Sequence, residues 1–307
     1  MPPALITLAC VIGFVVCWSS GFVGGRLAMG ASMPILALFA WRFLFASLIT
    51  GLFWCCTRRQ QLPLTALLAE AGIGALTMGG YLLGVILALQ FGVSTGLTAL
   101  VAALQPLLAA ALAGRWLGER LGAQGWAGML LATLGVGICV VDDLGSAQAA
   151  PAWAYALPLL SVVSVTLGSL LSVGRLTALP MAATLTVQLW AATLIFTLAA
   201  LIAAQGRLAL PVLDGITLSA IAWLIVLSSL GGYGCFLACL RRLGVTQTST
   251  LVYLTPPVTL VWAALMFGEL PGRHGLLGML VALLGVVIAL RRLSPTHTKT
   301  PAAGAAG

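Results

Sequence analysis

The sequence predicts an all-α polytopic membrane protein with ten transmembrane helices, arranged as two inverted five-helix repeats. Three observations support this fold class: the composition, the length of the apolar runs, and an internal duplication. Of the 307 residues, 61% are hydrophobic and only 7% are charged, which is unlike the composition of a soluble domain. Apolar runs of about 18 residues or more recur along the whole chain, and each could cross a hydrocarbon core about 30 Å thick.

Ten spans are predicted, joined by short connections in which proline often marks the boundary. The last residues, 293–307, are small and polar, which predicts a disordered cytoplasmic tail. The predicted spans cover roughly 4–25, 34–56, 65–89, 92–114, 121–141, 152–173, 182–204, 216–240, 245–267 and 273–292.

One stretch of the chain, residues 92–140, has a second copy 150 residues further on. Pro106 aligns with Pro256 and Glu119 aligns with Glu269. A general likeness between apolar segments explains shared leucines and alanines, but not proline, glutamate and several glycines in register. We therefore predict a duplication with a first repeat in 1–141 and a second in 142–292. The aligned glycines are Gly118, Gly128 and Gly135 with Gly268, Gly278 and Gly285.

Basic residues in the connections predict the orientation, because cytoplasmic loops carry an excess of Lys and Arg. With the N-terminus inside, the cytoplasmic side holds far more basic residues than the outer side. Both termini are then cytoplasmic, and the expected location is the inner (plasma) membrane. The inner set is Arg58, Arg59, Arg115, Arg120, Arg175, Arg241, Arg242, Arg291, Arg292 and Lys299; the outer set is Arg26, Arg207 and Arg273.

The number of spans in each repeat gives the duplication a direction. Five is an odd number, so the second copy enters the membrane from the opposite side. The copies are then related by a two-fold axis in the membrane plane, as in many secondary transporters. Such a pair of repeats creates a cavity at its interface that can open to either side, which indicates transport.

Three segments resemble the drug/metabolite transporter superfamily of the EamA type. WSSGFVGGRLAMGASMPILALFAWRFLFA (18–46) is similar to the first two helices of that family. LQPLLAAALAGRWLGERLGAQGWAGMLLATLGV (104–136) and LTPPVTLVWAALMFGELPGRHGLLGMLVALLGV (254–286) are similar to its repeated fourth and fifth helices. The resemblance implies ten helices in two inverted repeats and movement of small metabolites such as amino acids, often by export.

Two prolines and one arginine are candidate functional residues inside the predicted spans. Pro106 and Pro256 fall near the bilayer centre, where proline kinks a helix and frees a carbonyl one turn earlier. We interpret these kinks as shaping a cavity, although a role in packing alone is the alternative. Arg42 lies about two turns from the outer end of the second span. It could attract a carboxylate or phosphate, or it could extend its guanidinium to the interface instead.

The carboxylates fall near the ends of the predicted spans. Glu119 and Glu269 each begin a short turn between paired helices, where a carboxylate can cap free backbone amides. We therefore assign them structural rather than proton-coupling roles. Glu70 also falls near an interface, and no carboxylate or histidine occupies the middle of a span. This pattern favours facilitated diffusion or exchange over a buried proton relay.

The remaining candidates are neutral and aromatic side chains near the predicted midplane. Hydroxyls and amides between aromatic walls suit a small zwitterion or amphipathic metabolite held by a few hydrogen bonds. Interhelical packing is the alternative for each of them. With Arg42, the predicted substrate-binding set is Trp18, Ser19, Tyr81, Thr98, Gln105, Ser164, Tyr233, Tyr253 and Thr255.

Other functional classes find little support in the sequence. The net charge of +8 arises from arginines at helix ends, so we interpret it as membrane anchoring and not as nucleic-acid binding. No cysteine spacing indicates a metal site, and we expect no cofactor. The alternatives are a membrane-embedded enzyme acting on a lipid-linked substrate and a non-transporting scaffold. We expect a small-molecule substrate and contact with lipid, and we leave the oligomeric state open.

Overall fold

A computed structural model describes most of the chain, and every regular element in the described residues is helical. The predicted tail and Glu269 lie outside the described residues. The described ranges are 3–57, 62–93, 98, 101–119, 121–139, 150–174, 179–212, 214–268 and 272–291.

Twelve α-helical elements follow one another in the described residues. They are α1 (Pro3–Met29), α2 (Ile35–Thr57), α3 (Leu64–Gly74), α4 (Tyr81–Gln90), α5 (Gln105–Trp116), α6 (Ala123–Cys139), α7 (Ala156–Gly174), α8 (Met181–Ala203), α9 (Gly215–Trp223), α10 (Gly234–Leu251), α11 (Thr255–Phe267) and α12 (Arg273–Leu290).

Segments of π-helix and 3₁₀-helix join some of these α-helices into longer stretches. The first π segment, Ala75–Gly80, connects α3 to α4, and the second π segment, Leu224–Tyr233, connects α9 to α10. Short 3₁₀ segments precede α7 at Ala152–Tyr155 and α11 at Val252–Leu254. A π-helix inserts an extra residue per turn and is frequent at functional sites.

Seven helical stretches in the described residues are long and apolar enough to cross a membrane. The chain is therefore a polytopic membrane protein. The number of ten spans stays a prediction, since the predicted fourth span lies partly outside the described residues. The seven stretches are Ala4–Met29, Ile35–Cys56, Leu64–Gln90, Ala152–Gly174, Met181–Ala203, Gly215–Phe267 and Arg273–Leu290; Ala123–Ile138 is a shorter apolar helix.

The longest stretch, Gly215–Phe267, is divided by a break in the backbone within α10. Gly244 has φ 80° and ψ −177°, whereas its neighbours are helical. A residue with a side chain would be strained at this positive φ, which glycine adopts readily. The break falls at the boundary that the sequence predicts between the eighth and ninth spans.

Pro106 and Pro256 lie in the first turn of new helices and not in the interior of continuous ones. α5 begins at Gln105 and α11 at Thr255, so each proline is the second residue of its helix. The residue before each helix has nearly the same conformation, with φ −79° and ψ −14° at Leu104 and φ −80° and ψ −12° at Leu254. Proline is well tolerated in a first turn because its missing N–H would have no helical partner there.

The duplicated helices α6 and α12 pack against each other in antiparallel directions. A Cβ added to Gly135 would lie 2.8 Å from Gly278 O, and one added to Gly285 would lie 2.6 Å from Gly128 O. These two contacts exchange when 150 is added to, or subtracted from, each residue number. Only glycine allows two helix backbones to approach so closely.

Other helices of the two predicted halves also pack in pairs. α2 lies along α8 in the antiparallel sense, since Gly51 is opposite Thr186 while Phe39 contacts Phe196, with ring centroids 5.4 Å apart. α1 packs on the second π segment, and α7 packs on the first. The core thus lies between the two halves of the chain.

Replacing Gly285 by alanine tests the close contact between α6 and α12. The new Cβ would overlap the backbone of Ala132 and Gly128, so we expect a loss of about 1 to 3 kcal/mol of stability. Gly72→Ala is the matched control, because nothing lies within 4 Å of a Cβ there. Alanine at that helical position is expected to be neutral or stabilising by up to about 1 kcal/mol. Thermal unfolding in detergent measures both variants, and equal melting temperatures would contradict the packing described.

Candidate functional site

An aromatic cluster forms around Trp18, where α1 meets the second π segment and the first residue of α4. The Trp18 ring centroid lies 4.9 Å from that of Tyr233, 5.2 Å from Phe236 and 5.3 Å from Phe14. On another side it stacks with Tyr81 at 6.3 Å. The structure therefore brings together three of the predicted site residues, Trp18, Tyr81 and Tyr233, and adds two phenylalanines that the sequence did not single out.

The two π segments are linked directly at this cluster. The Tyr233 hydroxyl, at the end of the second π segment, donates a hydrogen bond to the Thr77 carbonyl in the first, at 3.4 Å. A sequence signal for this arrangement exists but was missed. Gly-Gly-Tyr occurs at 79–81 and again at 231–233, and each copy lies where a π segment ends or gives way to an α-helix.

Two serines from the predicted set hold neighbouring helices by hydrogen bonds to backbone carbonyls. The Ser19 hydroxyl donates to Val15 O at 2.6 Å and to Thr255 O at 3.2 Å, which joins α1 to the start of α11. The Ser164 hydroxyl donates to Leu76 O in the first π segment at 2.8 Å. These bonds satisfy backbone groups near the helix interruptions.

The two threonines and the glutamine of the predicted set, Thr98, Thr255 and Gln105, are buried. The Thr255 hydroxyl donates to Val252 O at 2.6 Å within its own turn. Thr98 and Gln105 are each 5% exposed. A role of these side chains in substrate binding therefore requires a conformation that is more open than the one described.

Arg42 is buried among polar and aromatic groups and does not extend to the interface. Its Nε donates to the Ser229 hydroxyl at 2.9 Å, and an Nη atom donates to Ser228 at 2.8 Å. The guanidinium carbon lies 4.9 Å from the centre of the Phe39 ring and 4.7 Å from that of Phe43. The cation thus ties α2 to the second π segment, where two hydroxyls and two π faces compensate its burial.

Tyr253 lies apart from the aromatic cluster. Its hydroxyl shares a hydrogen bond of 2.6 Å with Thr133 on α6. Its ring is buried with Met129 and Val286 in the core between α6 and α12. The structure therefore does not bring Tyr253 together with the other predicted site residues.

Glu119 accepts hydrogen bonds from backbone amides at the start of a helix, as expected for a capping carboxylate. The helix that it caps is not the expected one. The sequence suggested the helix that follows it, α6. Instead, its Oε1 accepts from Val245 N at 3.0 Å and its Oε2 from Thr246 N at 2.8 Å. These amides follow the break at Gly244, so one carboxylate of the first half satisfies two backbone groups of the second.

A second carboxylate, Glu70, is buried between helices. It lies six residues after Leu64, where α3 begins, and it is only 3% exposed. Its Oε2 accepts a hydrogen bond of 2.7 Å from the side-chain amide of Gln188 on α8. The sequence did not predict this pair, because the two residues are 118 positions apart.

The sequence profile of the EamA-like transporter family matches this chain over residues 5–141 and 152–291. The chain is 28% identical over 280 residues to a protein of Salmonella typhimurium strain LT2 named a probable amino-acid metabolite efflux pump. A protein of Escherichia coli strain K12 with the same name is 27% identical over 280 residues. Each alignment covers 89% of this chain and 91% of the relative.

A solved crystal structure shares the fold at 20% sequence identity. Its TM-score is 0.78, and the match covers 94% of this chain and 98% of the other. The fold and these matches define a multi-pass membrane transporter and not an enzyme. The chain belongs to the EamA-like transporter family.

Removing the Glu119 carboxylate is expected to destabilise the helix that begins at Val245. In Glu119→Ala, the amides of Val245 and Thr246 lose their acceptors, at a cost of about 1 kcal/mol or more. Glu119→Gln keeps one acceptor oxygen and should lose less. Unfolding temperatures measured in the same detergent should fall in the order wild type, Glu119→Gln, Glu119→Ala. An alanine variant as stable as the wild type would show that water replaces the carboxylate.

Proposed function

We propose that this protein is a secondary transporter that moves amino acids or related small metabolites across the inner membrane by alternating access, as an exporter or facilitator. Membership of the EamA-like family gives the class. The observation that carries the mechanism is the contact of Trp18 with Tyr81 and Tyr233. Tyr81 directly follows the first π segment and Tyr233 ends the second, so the contact lies next to both helix interruptions.

Alternating access requires two halves that can exchange conformations, and the packing of α6 on α12 supports such a relation. Two antiparallel helices whose contacts exchange under a constant shift are related by a two-fold axis perpendicular to them. For helices that cross the bilayer, that axis lies in the membrane plane. We extend this relation to repeats in 1–141 and 142–292, with both termini in the cytoplasm.

Interrupted helices give the halves places to bend. α5 and α11 each start at an interruption followed by proline, and the two π segments interrupt the helices that contact Trp18. Interruptions within a bilayer are tolerated where protein or a cavity satisfies the freed groups. We assign these positions as the points about which the helices tilt between the inward-open and outward-open conformations.

An amino acid would be recognised by aromatic rings on one side of the proposed site and by a guanidinium group on the other. The aromatic walls of Trp18, Tyr81 and Tyr233 would contact its side chain. The guanidinium of Arg42 would bind its carboxylate when the second π segment moves and releases Ser228 and Ser229. The relatives named as amino-acid metabolite efflux pumps support this substrate class.

Transport into proteoliposomes tests the proposal directly. Vesicles preloaded with an unlabelled amino acid should take up the same labelled amino acid faster than protein-free vesicles, because an alternating-access carrier exchanges solute across the bilayer. Labelled organic cations serve as the comparison. Absence of exchange for every amino acid would contradict the proposed substrate class.

Arg42→Ala is expected to impair exchange of amino acids more than exchange of amino-acid amides, which keep the ammonium group but lack the carboxylate. The physical reason is that only the carboxylate would gain from the guanidinium. Arg42→Lys keeps the charge without the paired donors of the guanidinium, so its rate of amino-acid exchange should lie between those of the wild type and Arg42→Ala. Equal losses for acids and amides would show that Arg42 serves only to join α2 to the second π segment.

A further inference from the structure

The pair of Glu70 and Gln188 has a buried polar atom without a hydrogen-bond donor among the described residues. The Gln188 amide nitrogen donates to Glu70 Oε2 at 2.7 Å. The Gln188 amide oxygen is also buried, yet within the described part of the chain it accepts no hydrogen bond. A buried acceptor without a donor costs free energy. A protonated Glu70 has an O–H group that can donate to this oxygen, whereas an ionised carboxylate can only accept.

The depth of the pair indicates that it lies inside the bilayer. Glu70 is six residues after Leu64, where α3 begins, and Gln188 is seven residues after Met181, where α8 begins. At 1.5 Å per residue, both side chains lie about 10 Å from the starts of their helices. An ionisable residue at such a position is costly to bury and marks a functional site by default.

A cation on a neighbouring helix lies near Glu70. The helices that pack against α3 most closely, α7 and α8, contain no titratable residue, and neither does the first π segment. Arg241 on α10 interacts electrostatically with Glu70. It donates hydrogen bonds to Leu179 O at 3.2 Å and Thr184 Oγ1 at 2.8 Å.

The pair also sits at a close contact between two helix backbones. A Cβ added to Gly74 would lie 2.7 Å from Gln188 O, so α3 rests directly on the backbone of α8 one turn after Glu70. A tilt of α3 against α8 would separate the carboxyl from the amide. Proton binding that requires the pair to be closed is therefore linked to the relative position of the two helices.

We propose that Glu70 and Gln188 form a proton-binding site that couples transport to the proton gradient. The Glu70 carboxylate takes a proton that enters from the outer side, forming an O–H bond that donates to Gln188 Oε1. When the helices tilt, the pair opens, the O–H bond breaks and the proton leaves to the cytoplasm. One proton inward would then be exchanged for one substrate outward. This inference rests on the proposed transport function.

Glu70→Gln is the decisive variant, because glutamine resembles the protonated acid but binds no proton. In proteoliposomes with the labelled amino acid that the wild type exchanges fastest, this variant should keep exchange at equal pH. It should lose the acceleration that a pH gradient gives the wild type. Glu70→Asp, which keeps a carboxyl group, should retain part of that acceleration. A Glu70→Gln variant that responds to the gradient as the wild type does would overturn the proposal.

Asp214→Asn is the matched control, since it also neutralises one carboxylate. Asp214 precedes α9, where hydrogen bonds from the backbone amide and hydroxyl of Thr217 hold the pKa of its carboxyl below the usual value. It lies outside the proposed proton site, so the response of this variant to a pH gradient should equal that of the wild type.

Infrared spectroscopy of the lipid-embedded protein separates the proton site from the transport function. A carboxyl C=O band that titrates with pH in the wild type and is absent in Glu70→Gln supports the site, even if the variant has lost exchange. If no protein carries any amino acid, the proposed function fails while this band still reports the site. A wild-type spectrum without a titrating band that depends on Glu70 overturns the inference.

Discussion

A bilayer offers backbone amides and carbonyls no partner, so each interruption of a helix must be satisfied from within the protein. At the boundary between the predicted eighth and ninth spans, Glu119 meets this need by accepting hydrogen bonds from the amides of Val245 and Thr246. It fixes where the helix after Gly244 begins, and it joins the two halves of the chain at that point. Serine hydroxyls meet the same requirement elsewhere, as Ser164 does at the carbonyl of Leu76.

Polar side chains in this protein therefore serve structure first. Arg42 holds the second π segment, and Ser19 holds the start of α11. In the proposed mechanism, the same bonds control the movement of the helices, because a helix held by one or two hydrogen bonds can be released at modest cost. In the proposed mechanism, the same groups pack the helices in one conformation and bind substrate in another.

Two helices at corresponding places of the proposed repeats carry different polar side chains. On α2, Arg42 faces hydroxyls of the second π segment; on α8, Gln188 faces the carboxylate of Glu70 on α3. Each of these two residues lies seven positions after the start of its helix. An exact two-fold repeat would place like charges at both levels of the membrane. In the proposed mechanism, this difference lets one level attract an anionic group while the other binds a proton.

The sequence alone determined what depends on composition and on local spacing: membrane helices, most of their boundaries, the duplicated Pro-to-Glu block and the family. These follow from hydropathy and from residues close together in the chain. Only the tertiary structure decided which partners distant residues meet. Glu119 binds amides 126 and 127 positions away, Tyr253 packs against α6 instead of joining Trp18, and Glu70 finds Gln188. Hydropathy shows which segments form membrane helices but not which helices pack together. In a bilayer, the helix faces turned to lipid and to protein are both apolar, so small residues and hydrogen bonds between helices decide the pairing.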